Sequence, residues 1–267
     1  MFPFAGAPEQ TPGNCPALPE RIRAVVLDTD SVITDLAHVQ GAAWTCVLDA
    51  YLQERAPGAG MRRPDPETEL PWFVDGSHLT SAVTSFLEAR GLGFGTLGEA
   101  TSVTHGLAVR QQAMLQRYLH RYGTGFRRGI SDLLTDLRRR GILCAAVSTT
   151  ARARGLLAAR GLLPMLDTVL DGDDRARLQV PARPDPALLH QAARLLGADR
   201  QDTAVVDASP NGVEAAARGE FGRIIGLTPA GHLRHMTEMF RRGADLVVHD
   251  LGELRNTSTP PAAATAA

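Results

Sequence analysis

The chain has 267 residues, and its 28 basic residues, all of them arginine, nearly balance 29 acidic ones to give a net charge of −1. The absence of lysine excludes a lysine Schiff base and a P-loop ending in Gly-Lys-Ser/Thr, and the even charge balance argues against a uniformly basic nucleic-acid binder. Three scattered cysteines define no disulfide framework, and no apolar run approaches the roughly 20 residues of a membrane span. We therefore expect a cytoplasmic protein without nucleic-acid or membrane partners, and its oligomeric state stays open.

Both ends of the chain have compositions typical of loose tails. Residues 1–20 are rich in proline, glycine and alanine, and residues 256–267 form a low-complexity stretch. We predict disordered tails at 1–20 and 256–267.

Short apolar runs between the tails predict six buried parallel strands. They are Ile22–Leu27, Ile142–Val147, Thr168–Leu170, Thr203–Val206, Arg223–Leu227 and Asp245–Val248. Helical stripes separate most of these runs; one places Ile130, Leu133, Leu134 and Leu137 on a single face and ends at Gly141. The alternation predicts an α/β fold built on a doubly wound parallel sheet.

The stretch 36–124 interrupts this alternation directly after the first strand. Three apolar stripes predict helices there, around Trp44–Leu52, Leu79–Leu87 and Met114–Leu119. We predict an inserted all-helical cap domain at 36–124, over a core made of residues 21–35 and 125–255.

Polar residues follow the predicted strands, at the edge where parallel sheets bind ligands. Asp28-Thr29-Asp30-Ser31 follows the first strand, Ser148-Thr149-Thr150 the second and Asp207 the fourth, with Arg183 in the preceding loop. A carboxylate can attack phosphorus, a second can protonate the leaving oxygen, and hydroxyls with a cation can hold the phosphoryl oxygens. By contrast, we expect Asp171, Asp173 and Asp174 to form a solvated loop.

The segment VVLDTDSVITD, from Val25 to Asp35, resembles the first motif of the haloacid dehalogenase superfamily, and more narrowly its β-phosphoglucomutase-like members. Further similar segments follow in the family's order and extend the resemblance over most of 21–254. These are Ala42–Leu52, Trp72–Gly76, Ser85–Leu92, His105–Arg110, Asp171-Gly172 and Gly212–Ala216. The resemblance implies a Rossmann-like core with a helical cap inserted after the first strand.

Carried over by position, the resemblance implies roles for the residues at the strand ends. Asp28 is the implied nucleophile and Asp30 the general acid/base. Ser148 and Thr149 are implied to bind the phosphate, and Arg183 lies in the place of the family's third-motif lysine.

The resemblance also implies a Mg²⁺ cofactor and a small phosphorylated substrate. Mg²⁺ is expected on Asp28, on the backbone carbonyl of Asp30 and on Asp207. Arg110, in the cap, is a candidate substrate contact.

Several positions depart from the family pattern. Arginine replaces the motif lysine at 183, and Ala208 replaces the second acid of the fourth motif, which removes a metal-ligand carboxylate. Ser31 stands where glycine is usual, and Leu79 replaces a cap arginine that would grip a second phosphate.

These observations favour a Mg²⁺-dependent phosphatase or phosphomutase-like enzyme that forms an aspartyl-phosphate intermediate on a small metabolite such as a sugar phosphate. Hydrolysis is favoured over mutase action, because the mutase-like cap contacts are replaced. The alternative is a catalytically impaired protein of the same fold that binds a ligand or partner. A true dehalogenase is disfavoured, because the second aspartate suits a leaving oxygen.

Overall fold

A six-stranded parallel sheet forms the centre of the protein. The computed structural model describes residues 17–57, 79–123, 125–151 and 153–255, so most of the predicted tails and the motif at 72–76 lie outside the described residues. The strands are β1 (Ala24–Asp28), β2 (Leu143–Val147), β3 (Thr168–Leu170), β4 (Thr203–Asp207), β5 (Arg223–Leu227) and β6 (Leu246–Val248). Their order across the sheet is β3-β2-β1-β4-β5-β6, and every pair is parallel.

Helices connect the strands and fill the insertion. In chain order they are α1 (Leu36–Arg55), α2 (Leu79–Glu88), α3 (Leu97–Tyr122), α4 (Ile130–Arg139), α5 (Ala153–Ala159), α6 (Gly172–Arg177), α7 (Ala187–Leu195), α8 (Pro210–Arg218) and α9 (Leu233–Arg241). A π-helical turn, Thr29–Ile33, joins β1 to α1. None of the described helices combines the length and apolar character needed to cross a membrane.

Helices cover both faces of the sheet, which is why its strands are apolar throughout. In β1, Val25 and Leu27 pack into a cluster with α4, whereas Ala24 and Val26 pack on the opposite face with α7 and α8. All five residues of β1 are buried. The two-sided core confirms the doubly wound architecture predicted from the apolar runs.

The inserted segment has a hydrophobic cluster of its own. Trp44, Leu48, Phe86 and Leu107, from α1, α2 and α3, are buried in it together. In the described parts of 36–124 the regular elements are all helical. This agrees with the all-helical insertion, and the domain limits at 36 and 124 stay a prediction.

The two chain segments that join the insertion to the core run side by side. Thr34 and Phe126 form an isolated antiparallel bridge, and the amide of Asp35 donates to the carbonyl of Gly125 at 3.2 Å. The amide of Arg127 donates to the carbonyl of Ile33 at 3.0 Å. The insertion therefore leaves and re-enters the core at one place.

Two expectations from the sequence need correction. The first strand begins at Ala24 rather than Ile22, because the Ile22 amide closes a turn by donating to the carbonyl of Pro19.

Asp171 and Asp174 do not lie in a solvated loop. They are buried and form a reciprocal capping box at the start of α6, where Arg154 also pairs with both carboxylates.

Candidate active site

The polar residues predicted to converge do so at the carboxyl ends of β1 and β4. From β1 the chain adds β2 and then β3 on one side of the sheet, and it adds β4, β5 and β6 on the other side. The order of the strands therefore reverses between β1 and β4, which is where open α/β sheets bind their ligands. Asp28 ends β1, Asp207 ends β4, and Ser148 directly follows β2.

Asp28 is buried, with 2% of its surface exposed, and both of its carboxylate oxygens are held. Its Oδ2 accepts hydrogen bonds from the backbone amide of Ser31 at 2.7 Å and from the Ser31 hydroxyl at 2.6 Å. Its Oδ1 accepts from Arg183 Nη2 at 2.8 Å. The π-helical turn after β1 folds Ser31 back onto Asp28 and so fixes the carboxylate plane.

Arg183 joins the ends of the two central strands. While Nη2 contacts Asp28, Nη1 lies 3.0 Å from Asp207 Oδ2, and the arginine side chain is only 11% exposed. Asp207 Oδ1 accepts from the backbone amide of Ser209 at 2.8 Å. The planar guanidinium thus spans two carboxylates, a geometry that a lysine ammonium does not reproduce.

The carboxylate of Asp30 is held by the loop that follows β2. The Ser148 hydroxyl lies 2.9 and 2.8 Å from its two oxygens, and the Thr149 amide donates to Oδ2 at 3.2 Å. The hydroxyls of Thr149 and Thr150 lie 3.3 Å from the same carboxylate. Ser148 and Thr149 are thus brought to the site as predicted, but they contact Asp30, and phosphate binding by them stays a prediction.

Burial shifts two of these carboxyl groups toward neutrality. Loss of hydration raises the pKa of Asp30 to about 6, and the charge of Asp28 adds to the rise against hydrogen bonds from Ser148 and Thr149. Loss of hydration also raises the pKa of Asp207 to about 7, because it outweighs the attraction of Arg183, and Asp28 again contributes. Both carboxyl groups therefore keep their protons to a higher pH than an exposed aspartate does.

Gly212, in the first turn of α8, makes room for the Asp207 carboxylate. A Cβ atom on this glycine would lie 2.0 Å from Asp207 Oδ2. Since Asp207 is buried, it could not move aside without leaving Arg183. The glycine in the GVEAA segment is therefore required by a close approach of helix and carboxylate.

Arg110 is not brought to this cluster. It lies on α3, more than half exposed, and its Nη1 is 3.2 Å from both carboxylate oxygens of Glu54. No contact in the described part of the chain links it to Asp28 or Asp30. Its substrate role stays a prediction without support from this arrangement.

A cavity of about 590 Å³ lies among the three cap helices. Its described lining includes Gln40, Trp44, Leu79, His105 and Gln111, and no aspartate, glutamate or arginine is among the described residues that line it. The lining is mostly apolar, with Leu79 and Leu115 beside the amides of Gln40 and Gln111.

Two residues of the site were not identified from the sequence. Ser31 was placed at the strand end and noted as a replacement of glycine but was given no role, yet its hydroxyl contacts Asp28 and also accepts from the Ala208 amide at 3.3 Å. Arg127 donates from Nε to the Ser31 carbonyl at 2.6 Å across 96 positions of sequence. The position of Ser31 directly after the DTD segment was a usable signal, whereas nothing local marked Arg127.

The residues expected to hold Mg²⁺ do not fit that ion in their present arrangement. Arg183 contacts both Asp28 and Asp207, the Asp30 carbonyl lies 3.3 Å from the Thr34 hydroxyl, and Ala208 offers only a methyl group. Within the described residues, no three histidine, cysteine, aspartate or glutamate side chains are grouped to hold a metal. Mg²⁺ is usually held by one or two carboxylates together with water, and here both candidate carboxylates are paired with the Arg183 guanidinium.

Comparison with known proteins agrees with the geometry. A family model described as haloacid dehalogenase-like hydrolase matches residues 22–219. A β-phosphoglucomutase of Mycobacterium bovis is 33% identical over 243 residues, which cover 89% of this chain and 93% of that protein, and one of Mycobacterium tuberculosis gives the same values.

Solved structures with the same fold extend this likeness. A β-phosphoglucomutase from Clostridium difficile superimposes with a TM-score of 0.61 at 18% identity and covers 88% of this chain and 93% of its own. A hydrolase from Deinococcus radiodurans, solved with phosphate and sodium bound, gives 0.62 at 22% identity, with 88% and 94% covered. At these identities the solved structures establish the fold.

Proposed function

The chain belongs to the haloacid dehalogenase-like hydrolase family, and from that membership we propose that it hydrolyses phosphate monoesters of small metabolites. The observation that carries the proposal is the buried pair Asp28 and Asp30, two residues apart at the switch point of the sheet. One carboxylate is fixed by a cation and the other has a pKa raised to about 6. Their environments separate a nucleophile from a proton donor.

The contacts of Asp28 favour Oδ1 as the attacking atom. Oδ2 already accepts two hydrogen bonds from Ser31, whereas Oδ1 accepts only from Arg183 among the described residues. Attack forms an Oδ1–P bond and breaks the bond from phosphorus to the leaving oxygen, which takes a proton from Asp30. Asp30 then removes a proton from water, which attacks phosphorus, releases inorganic phosphate and restores Asp28.

Arg183 has two tasks in this scheme. Its positive charge lies against the nucleophile, where negative charge from the phosphoryl oxygens accumulates in the transition state. Its second contact, with Asp207, fixes the guanidinium plane. The family generally uses Mg²⁺, but this donor set does not fit that ion, so the proposed reaction uses the chain's own groups alone.

A sugar phosphate is the substrate class that we propose. The relatives at 33% identity are named as β-phosphoglucomutases. The cap cavity is lined by apolar side chains, glutamine amides and Trp44, and no aspartate, glutamate or arginine is among its described lining residues. A mutase must also bind the second phosphate of a bisphosphate intermediate. We therefore propose hydrolysis rather than mutase action.

A substrate panel tests this function. We expect the purified chain to release phosphate from p-nitrophenyl phosphate or from at least one of a set of hexose and pentose phosphates. Asp28→Asn should remove this activity, since an amide oxygen is a poor nucleophile. Asp132→Asn, at an exposed aspartate paired with Arg255, is the matched control and should keep it. Equal rates for wild type and Asp28→Asn would contradict the proposal.

A second candidate is a catalytically impaired protein that binds a phosphorylated ligand. Two features favour it. The ion pair between Arg183 and Asp28 restricts the nucleophile, and Ala208 stands where the family has a second acid. This candidate predicts that a sugar phosphate raises the melting temperature of the wild type while no phosphate is released. Turnover that depends on Asp28 would exclude it.

A further inference from the structure

The ion-pair geometry of Arg183 raises the question of which cation this site uses. Two nitrogens of one guanidinium contact carboxylates on two different strands, at 2.8 Å and 3.0 Å. The side chains of Asp28 and Asp207 are 3% and 1% exposed. Buried carboxylates need a charge partner or a proton, and in the described structure Arg183 is the cation in contact with both.

A divalent cation bridging the same two carboxylates would compete with this guanidinium. Asp28 Oδ2 accepts two hydrogen bonds from Ser31, and Asp207 Oδ1 accepts one from the Ser209 amide. The other oxygen of each carboxylate is the one that Arg183 contacts. An ion placed there would meet a positive group in a buried setting, where repulsion is poorly screened. It would also lack a carboxylate at position 208.

We propose that Arg183 takes the place of the divalent cation in this protein. The site then binds Mg²⁺ weakly, and the hydrolysis proposed above proceeds in the presence of a chelator. The two replacements at 183 and 208 act together, because the guanidinium fills the gap between Asp28 and Asp207 while Ala208 removes a ligand that the ion would need. The statement about turnover rests on the proposed function, whereas the statement about metal binding does not.

Direct metal titration of the full chain tests the proposal independently of activity. Mn²⁺, detected as free ion by electron paramagnetic resonance, and Mg²⁺, detected by calorimetry, are titrated into wild type, Arg183→Lys, Ala208→Asp and the double variant. We expect the double variant to bind Mn²⁺ at least about tenfold more tightly than wild type. The gain should exceed the product of the two single gains, since the substitutions share one site.

Arg154→Lys is the matched control. Arg154 also contacts two aspartates, Asp171 and Asp174, but lies away from the sheet switch point and is half exposed. The same arginine-to-lysine change there should leave Mn²⁺ binding unaltered. Melting temperatures without metal verify that each variant is folded.

Each outcome bears on the proposal. Saturable binding to the wild type that is as tight as in the double variant, and that Asp28→Asn abolishes, would overturn it. A double variant that binds no better than wild type would also overturn it, because Arg183 would then not be what excludes the ion. The wild type serves as a second readout: its melting temperature should not change with added Mg²⁺, since an ion that binds the native state raises it. Inactivity on every substrate would refute the proposed function and leave the metal result standing.

Discussion

At the scale of single residues, the two aspartates of the DTD segment have opposite surroundings. Asp28 faces a guanidinium and a serine, whereas Asp30 faces three hydroxyls and an amide, and no cation contacts it in the described part of the chain. The same side chain can therefore serve as a nucleophile at one position and as a proton donor two residues later. Apart from Ser31, the partners that make this distinction lie over 100 positions away in sequence.

The raised pKa of Asp30 predicts a cost in stability. In the unfolded chain this carboxyl titrates near 3.8, and in the folded protein near 6. The protonated form is thus favoured in the fold, so its stabilising contribution is present below about pH 4 and is lost as the pH rises through 6. We expect Asp30→Asn to abolish hydrolysis. Its free energy of unfolding relative to that of the wild type should rise by roughly 2 kcal/mol as the pH increases from 4 to 8.

Urea unfolding of both proteins across this pH range measures the difference. The asparagine keeps the shape and can still accept from the Thr149 amide while donating to the Ser148 hydroxyl. Asp132→Asn again serves as the control and should show no such trend. If the difference in free energy of unfolding between wild type and Asp30→Asn does not change with pH, the raised pKa of Asp30 is contradicted.

At the scale of elements, the close contact between β4 and α8 requires glycine at position 212. Alanine normally stabilises a helix relative to glycine by up to about 1 kcal/mol. Gly106→Ala should show this gain, because Gly106 is exposed on α3 and has open space around it. Gly212→Ala should do the reverse, since its Cβ would overlap the Asp207 carboxylate. We expect a loss of about 1–3 kcal/mol in the free energy of unfolding.

Chemical denaturation of the two alanine variants provides the comparison. Because the overlap displaces Asp207 from Arg183, Gly212→Ala should also slow phosphate release, whereas Gly106→Ala should not change it by this route. A Gly212→Ala protein as stable as Gly106→Ala would show that the helix can shift away from Asp207.

At the scale of the whole molecule, the insertion and the sheet have separate hydrophobic clusters. The insertion's cluster is smaller, with Leu48 fully buried in it, while Leu134 is fully buried in the cluster on one face of the sheet. We propose that residues 36–124 form a domain that opens while the sheet stays folded. Amides of α1 and α3 should then exchange hydrogen with a lower opening free energy than those of β1 and β4.

Two substitutions of the same kind distinguish the units. Leu48→Ala should lower the opening free energy of the cap helices by about 2–5 kcal/mol. Leu134→Ala should lower protection in the strands and leave cap opening unchanged. A single opening free energy shared by helices and strands in the wild type would contradict a separate cap domain.

The sequence predicted those features that follow from repeated local patterns. Apolar runs located all six strands to within two residues at their starts, and the edge rule brought Asp28, Ser148 and Asp207 together. The span of Arg183 across two carboxylates was not predictable, because it depends on the path of an irregular loop. Asp171 was misinterpreted, since a capping box and a solvated acidic loop have similar compositions. The contact of Arg127 with Ser31 depends on tertiary packing alone.

The bridge between Thr34 and Phe126 bears on how such a chain can be assembled or edited. Since the exit and return segments are already paired antiparallel, everything between them could be replaced by a two-residue turn such as Asn-Gly without moving either end. The sheet would keep its strand order, and the turn after β1 would keep Ser31 against Asp28. A single junction of this geometry allows the inserted helices to be exchanged as one unit while Asp28 and Ser31 stay in place.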